Sequence, residues 1–539
     1  MYHQILDPVA HSLAWSALVA ALPLLVLFVL LGVVRLRAWL SALIALATAL
    51  LIAIAVYGMP FGQAVLAGTE GAAFGFFPIL WIVINAIWIY NITVATGHFD
   101  VLRRSFARVS DDQRVQAIII AFSFGALMEA LAGFGTPVAV TSVMLIALGF
   151  KPLKAAALAL TANTAPVAFG AMATPIITLG TVTGIPSDTL GAMVGRQTPI
   201  LALFVPLALV FIVDGRRGLR ETWPVALVCG LFFAVAQYAT ANFVSVPLTD
   251  VVASLVSAAA VVLMVRLRRT PAPAVQAGGS VDEPPPSMTA RQDPGGDVAR
   301  AYAPYLIIIV IFVLGQIPAI KALLDKATQK FSWPGLHVFS PSGKAAGQVT
   351  FTANYLTTPG TQMLVAGVIT MVVLGVGVGR GLRAYGTTLA QLRWAILTVM
   401  AVLALAFVMN LSGQTITLGT WMAGAGGVFA LLSPILGWLG VAVTGSDTSS
   451  NSLFGGLQVT AAGQAGLSQT LMAASNSSGG VLGKMISPQN LAIAAASVGR
   501  DGAEGEIFRK VLVWSLVFLA AMCVLSALQA TPVLSWMVP

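Results

Sequence analysis

Three ionisable residues stand well inside apolar stretches of this sequence: Glu129, Asp447 and Lys484. A charge in such surroundings is costly unless it is paired or hydrated, so each is a candidate for chemistry before it is a candidate for structure. Glu129 falls one turn before the run Gly133-Phe134-Gly135-Thr136-Pro137. It is read as a proton carrier; the structural alternative is a neutral acid that hydrogen-bonds a helix neighbour. Asp447 sits among Ser446, Thr448, Ser449 and Ser450. It fits a proton or cation site, an acceptor for a substrate hydroxyl, or a helix cap, since Ser, Thr and Asp favour that position. Lys484 can receive a substrate carboxylate, pair with Glu129 or Asp447, or extend its ammonium to the surface.

A second set consists of neutral polar residues at interruptions of apolar runs: Asn163 and Thr164 in one place, Asn476, Ser477 and Ser478 in another. Helix N-terminal N–H groups and side-chain donors can hold an anion there without a full charge. The alternative is local capping. With Thr136, Ser449 and Ser450 at the two glycine-containing turns, and Lys484, they form the expected substrate-binding set; Glu129 and Asp447 form the expected proton-coupling set. Asn490, next to Pro488, is a weaker candidate. His98 and His337 read as ordinary exposed imidazoles, and Cys229 and Cys523 as small buried thiols rather than a disulfide. No phosphate loop or Cys/His ligand spacing is present, so ATP-driven pumping, a metal and a cofactor have no support.

The elements that must position these residues follow from composition. The 539 residues are 58% hydrophobic and 9% charged, with a mean hydropathy of +0.92. A soluble domain carries roughly 25% charged residues. Many apolar stretches reach about 20 residues, enough to cross the hydrocarbon core of a bilayer as a helix, which satisfies its own backbone hydrogen bonds. The net charge of +9 gathers in short loops, where it sets orientation; nucleic-acid binding is excluded on that ground. The expectation is an all-α polytopic membrane protein with about 12 spanning helices plus two helical hairpins.

Spans are expected near 13–34, 38–57, 74–97, 189–213, 224–243, 247–265, 302–320, 360–379, 393–411 and 508–529. Between them lie a hairpin near 115–150, a broken helix at 153–183, a second hairpin region at 420–464 and a second broken helix at 467–498. Arg35, Arg37, the Arg103–Arg114 cluster, Lys151, Lys154, Arg216, Arg217, Arg220, Arg380, Arg383 and Arg393 mark cytoplasmic loops. The segments 57–73, 183–188 and 321–358 then face outside. Residues 267–300, rich in Pro, Gly and charge, read as a disordered cytoplasmic linker between a first repeat, 1–266, and a second, 301–539.

The two halves match locally. At one constant offset Leu158, Asn163, Gly170, Met172 and Pro175 face Leu471, Asn476, Gly483, Met485 and Pro488. With a one-residue shift, Gly133 and Thr136 match Gly445 and Thr448. One half starts outside and the other inside, so the repeats are inverted. Inverted repeats with broken helices point to a transporter with its site near the membrane midplane. The tips at 133–137 and 445–451 and breaks at 163–166 and 476–480 are expected to converge there.

The segments FGALMEALAGFGTPVAV, TANTAPVAFG, TGSDTSSNSLFGGLQ and MISPQNLAIA resemble the L-lactate permease family of bacterial secondary transporters, over nearly the whole chain. The resemblance implies uptake of L-lactate, D-lactate and glycolate by proton symport across the inner membrane, with paired hairpins that move as an elevator. The expected partners are a small monocarboxylate, protons and the lipid bilayer, with a homodimer by analogy. The alternatives are a sodium-coupled carboxylate carrier, a cation/proton antiporter and a channel. No nucleophile–base pair supports an enzyme.

Overall fold

The computed structural model describes residues 1–107, 109–110, 112–133, 135–267, 293–340, 346, 349–500 and 502–539. It is a helical bundle. Among the described residues ten helical runs are long and apolar enough to cross a membrane, eleven if the bent pair Pro152–Ala162 and Val167–Thr183 counts as one span. This is fewer than the twelve expected. One cause is continuity: Ser187–Phe243 is a single run of 57 residues, long enough for two crossings, that turns at Asp214 and Gly215 without a loop. Arg216, Arg217 and Arg220 therefore lie on a helix, not in a loop. Arg380, Arg383 and Arg393 likewise lie on the helix Val378–Ser412. A second cause is length, since Pro359–Val373 is short.

The segment expected as an outside loop at 57–73 is also helical from Phe61. It joins the following span as one run, Phe61–Ala95. Gly71 on this helix serves packing. A Cβ at Gly71 would lie 2.8 Å from Ala404 Cα, so this helix lies directly against Val378–Ser412. Small residues that permit such approach replace the hydrophobic drive that lipid removes. The same helix carries Glu70, fully buried and with neither oxygen partnered. Low local hydropathy concealed both.

The two ends of the bundle are distinguishable. At one end Tyr2–His3 pairs in parallel with Val338–Phe339, and Gln329–Ser332 pairs antiparallel with Thr350–Ala353. Tyr2 Oη donates to the carbonyls of Tyr57 (3.1 Å) and Ser412 (2.8 Å). A small cleft at this end is lined by Gln4, Thr183 and Ser340, so 183 and the 321–358 segment share a face. At the other end Arg104 forms a two-pronged pair with Asp293 (2.7 and 2.9 Å), and Arg114 bridges Asp112, Asp214 and Glu221. Most of the expected linker, 268–292, lies outside the described residues.

Each half contains a hairpin followed by a broken helix. The first hairpin consists of Gln113–Leu131, wholly buried, and Thr136–Ala147. Gly135 turns in the left-handed region (φ 83°) and Pro137 opens the returning helix. Phe134 lies outside the described residues. The second hairpin consists of Phe429–Thr444 and Asp447–Gln464. Gly445 (φ 76°) ends its first arm, and Ser446 caps its second by accepting from Ser449 N–H at 3.3 Å.

Candidate functional site

The two broken helices interrupt in different ways. In the first, Pro152–Ala162 stops at Asn163 and the chain bends by 67° before Val167–Thr183. Near the start of the outgoing half, Ala171, Met172 and Ala173 all adopt positive φ (44°, 57° and 59°). A left-handed turn of non-glycine residues costs roughly 1–2 kcal/mol per residue, and such strain clusters at functional sites.

In the second, the break expected at 476–480 is absent. Gln469–Gly483 is unbroken; a tight turn at Lys484–Ile486 and extended Ser487 separate it from Pro488–Ser497. The glycines that suggested a break are contact points instead. A Cβ at Gly479 would lie 2.5 Å from Pro434 Cα, and one at Gly483 would lie 2.8 Å from Ala442 N, both on the first arm of the second hairpin. Pro488 makes the real interruption, having no N–H to donate, and Ser487 caps the short helix that begins there. The offset that sets Pro175 opposite Pro488 also sets the left-handed turn at 171–173 opposite 484–486.

Both hairpin tips and both true breaks border one chamber of about 560 Å³. Its wall includes Glu129, Gly170, Asp447, Ser449, Lys484 and Asn490. Its rim includes Arg37 and the stacked rings of Trp39 and Trp394, whose centroids are 5.0 Å apart. Lys484 Nζ lies 2.6 Å from Glu129 Oε1, with both side chains buried. Asn163 Nδ2 donates to the other oxygen, Glu129 Oε2, at 2.9 Å. Lys484 thus pairs with Glu129, not Asp447, and does not extend to the surface. Gly170 makes room for this carboxylate: a Cβ there would sit 2.7 Å from Glu129 Oε1.

Asp447 does not cap its helix; Ser446 does. The Asp447 carboxylate turns to the second broken helix, where Ser477 Oγ donates to Oδ2 at 2.6 Å. Asn451 Nδ2 faces the same oxygen at 3.4 Å and the Pro175 carbonyl at 3.1 Å. Asn476 Nδ2 donates to Asn451 Oδ1 (2.9 Å), and Gln458 Nε2 donates to Asn476 Oδ1 (3.1 Å). These amides tie the second hairpin to both broken helices.

The expected residues therefore divide. Glu129, Asp447, Ser449 and Lys484 line the chamber. Asn163 and Ser477 stand behind it and hold Glu129 and Asp447, which do, whereas Asn476 is a step further back, bonded to Asn451. Thr136, Thr164 and Ser450 do not border it. The Thr164 hydroxyl is spent on Thr161 O (2.7 Å), and Ser450 Oγ joins the hairpin arms through Gly437 O (3.2 Å). The Thr164 hydroxyl is within reach of its own helix backbone, and local bonding takes it first. Sequence reasoning passed over Asn451, although it lies within the TGSDTSSNSLFGGLQ run. The buried Asp250–Gln237 bond (2.8 Å) also went unread; Gln237 reaches toward Ala165 O at the first break (3.3 Å).

A polytopic helical bundle whose broken helices and hairpin tips enclose a buried ion pair has the build of a membrane transporter. A family model described as L-lactate permease matches residues 16–533. The chain belongs to the L-lactate permease family, whose bacterial members reside in the cytoplasmic membrane, and it is a transporter rather than an enzyme. It is 43% identical to glycolate permease GlcA of Escherichia coli K12, over 96% of each chain. It is 39% identical to L-lactate permease of Bacillus subtilis 168, over 99% of each. Among solved structures it is similar to the Alcanivorax borkumensis YdaH transporter, with 16% identity, a TM-score of 0.44 and 86% of each chain covered.

Proposed function

We propose that this protein imports lactate, glycolate and related short 2-hydroxy monocarboxylates in symport with protons. The substrate class rests on family membership and full-length similarity to lactate and glycolate permeases. The coupling rests on one observation, the Lys484–Glu129 pair in the chamber wall. While Glu129 is ionised it occupies the ammonium that a substrate carboxylate would need. A proton on Glu129 cancels that pairing and releases Lys484 to the incoming anion. Proton binding and anion binding then favour one another, and the effect is reciprocal. Proton and monocarboxylate cross as a neutral set, which avoids moving net charge through a low-dielectric interior.

The recurrence of hairpin and broken helix supports a first repeat in 1–266, a linker at 267–300 and a second repeat in 301–539, inverted with respect to one another. The two hairpins and broken helices would move together, as in an elevator. The working unit is proposed as a homodimer by analogy with other paired-hairpin transporters.

Proteoliposomes holding the purified chain supply the test. Labelled L-lactate should accumulate under an inward proton gradient and equilibrate without one, unaffected by sodium at fixed pH. Sodium-driven accumulation at equal pH on both sides would favour the sodium-coupled carrier instead.

A further inference from the structure

The interruption of the first broken helix frees backbone carbonyls at membrane depth, where each needs a partner from the protein. Ala165 finds one in Gln237, whose Nε2 reaches its carbonyl at 3.3 Å and donates to Asp250 Oδ1 at 2.8 Å. Thr198 Oγ1 lies 3.3 Å from Gln237 Oε1. Gln237 and Asp250 are fully buried, and neither borders the chamber. A backbone carbonyl can only accept, so the Gln237 amide must turn its NH2 to Ala165. The same NH2 meets Asp250, so Oδ1 accepts as well.

Asp250 differs from Glu129 in what surrounds it. Glu129 has an ammonium at 2.6 Å, whereas Asp250 has one neutral amide, and its Oδ2 has no hydrogen-bond partner. The charge whose field reaches Asp250 is that of Glu129, an acid like itself. Of the elements packed against Thr249–Leu267, Ala117–Phe124 and Gly170–Thr183 carry no ionisable side chain. On Val205–Phe243, Cys229 meets Ser123, which bonds Ser257 two turns along from Asp250, and the charges at 214–221 lie more than about four turns before Gln237. On Gly295–Gln316, Asp297 and Arg300 pair with one another, and Tyr302, with Tyr305 near it, stands beside Arg266 at the far end of Thr249–Leu267. An ionised Asp250 would be an unpaired buried charge, which costs more than one unmade hydroxyl bond. With Oδ1 accepting, the proton belongs on Oδ2.

We propose that Asp250 is a standing neutral acid that, through Gln237, holds the first break in place and so positions Glu129 without carrying the transported proton. This rests on the reading of Glu129 as the proton carrier. The line of contact is short. Asp250 fixes Gln237, Gln237 fixes the Ala165 carbonyl, and two residues earlier Asn163 fixes Glu129 Oε2. Separation from the chamber suits the role, because a proton that never leaves needs no water to carry it.

The test uses proteoliposomes containing the full chain, with labelled L-lactate accumulation and exchange followed against pH. Asp250→Asn keeps a neutral group of the same shape whose oxygen still accepts from Gln237. It should accumulate lactate under a proton gradient with the pH profile of the unaltered protein. Asp250→Ala leaves the Gln237 NH2 one acceptor short. Proton-driven uptake should fall about tenfold with a displaced pH profile. In a Glu129→Gln background Asp250→Ala should leave lactate exchange unchanged, since there is no carrier left to misplace. If Asp250→Ala is not recovered from the membrane, Gln237→Leu replaces it, with the same expectations. Loss of accumulation or of pH dependence in D250N would overturn the proposal, because Asp250 would then carry a working proton. An equal fall in exchange with and without Glu129 would also overturn it, leaving a general structural role. Unchanged accumulation in E129Q would overturn Glu129 as the carrier, and the positioning role with it.

Discussion

Lys484 and Glu129 meet at 2.6 Å across 355 positions of sequence, joining the second broken helix to the first hairpin. Neither has another charged partner among the described residues, so each is the other's compensation. Removing one should cost about 3–5 kcal/mol, because it strands a buried charge. Lys484→Gln alone should lower the melting temperature markedly. The double variant Glu129→Gln/Lys484→Gln should recover most of that loss while remaining inactive in uptake. Thermal melts of the three proteins check this. Equal destabilisation in single and double variants would mean that the pair does not act as a unit.

Glu129→Gln by itself keeps a hydrogen-bonding group for Asn163 and leaves Lys484 permanently free. Lactate exchange between the two sides should persist and lose its pH dependence, whereas proton-driven accumulation should fail. Counterflow and gradient-driven uptake measured in parallel separate the two activities. Unchanged accumulation would make Glu129 a structural residue.

Gly170→Ala should reduce uptake at least about tenfold with little loss of fold, since its Cβ would push on Glu129 Oε1 and little else near it. The expected signature is a changed maximal rate and pH profile rather than failure to express. Gly296→Ala, with open space at that position, is the matched control.

Glu70 leads to an expectation of opposite sign. Both its oxygens are buried without partners, so Glu70→Leu, of similar volume, should raise stability by about 1–3 kcal/mol. Higher thermal stability with wild-type uptake would mark the residue as dispensable. Lost uptake would reveal a second working carboxyl.

Single cysteines test orientation. Labels at Gly335 should react from outside and labels at Gly296 only after permeabilisation. The reason is that Gly335 adjoins the strand pair at the Tyr2 end, whereas Gly296 lies just after the Arg104–Asp293 pair at the other.

The readability of these features in the sequence tracked their physics. Glu129, Asp447 and Lys484 stood out because charge amid apolar residues has few explanations. The Gly445-Ser446 turn was legible because left-handed glycine and serine caps act locally. The break at 484–487 was misplaced to 476–480 because glycine weakens a helix in isolation but serves close packing when another helix lies against it. Glu70 was passed over because its helix is polar enough to resemble a loop, and only its partner helix makes it a buried one. Asn163 was read as facing a ligand, whereas it bonds Glu129; whether an amide faces a solute or a neighbour is decided by tertiary placement.

The fastening of Tyr2 to Ser412, 410 positions later, has a consequence for biosynthesis. At roughly 5–20 residues per second the ribosome needs about 20–80 s to supply the second member of that bond. Throughout that interval the Tyr2 end is held only by the Tyr57 carbonyl and, once Val338–Phe339 has emerged, by the short parallel strand pair. Nascent chains halted before Ser412 should therefore be open to proteases on the Tyr2 side of the membrane, and longer ones progressively closed to them.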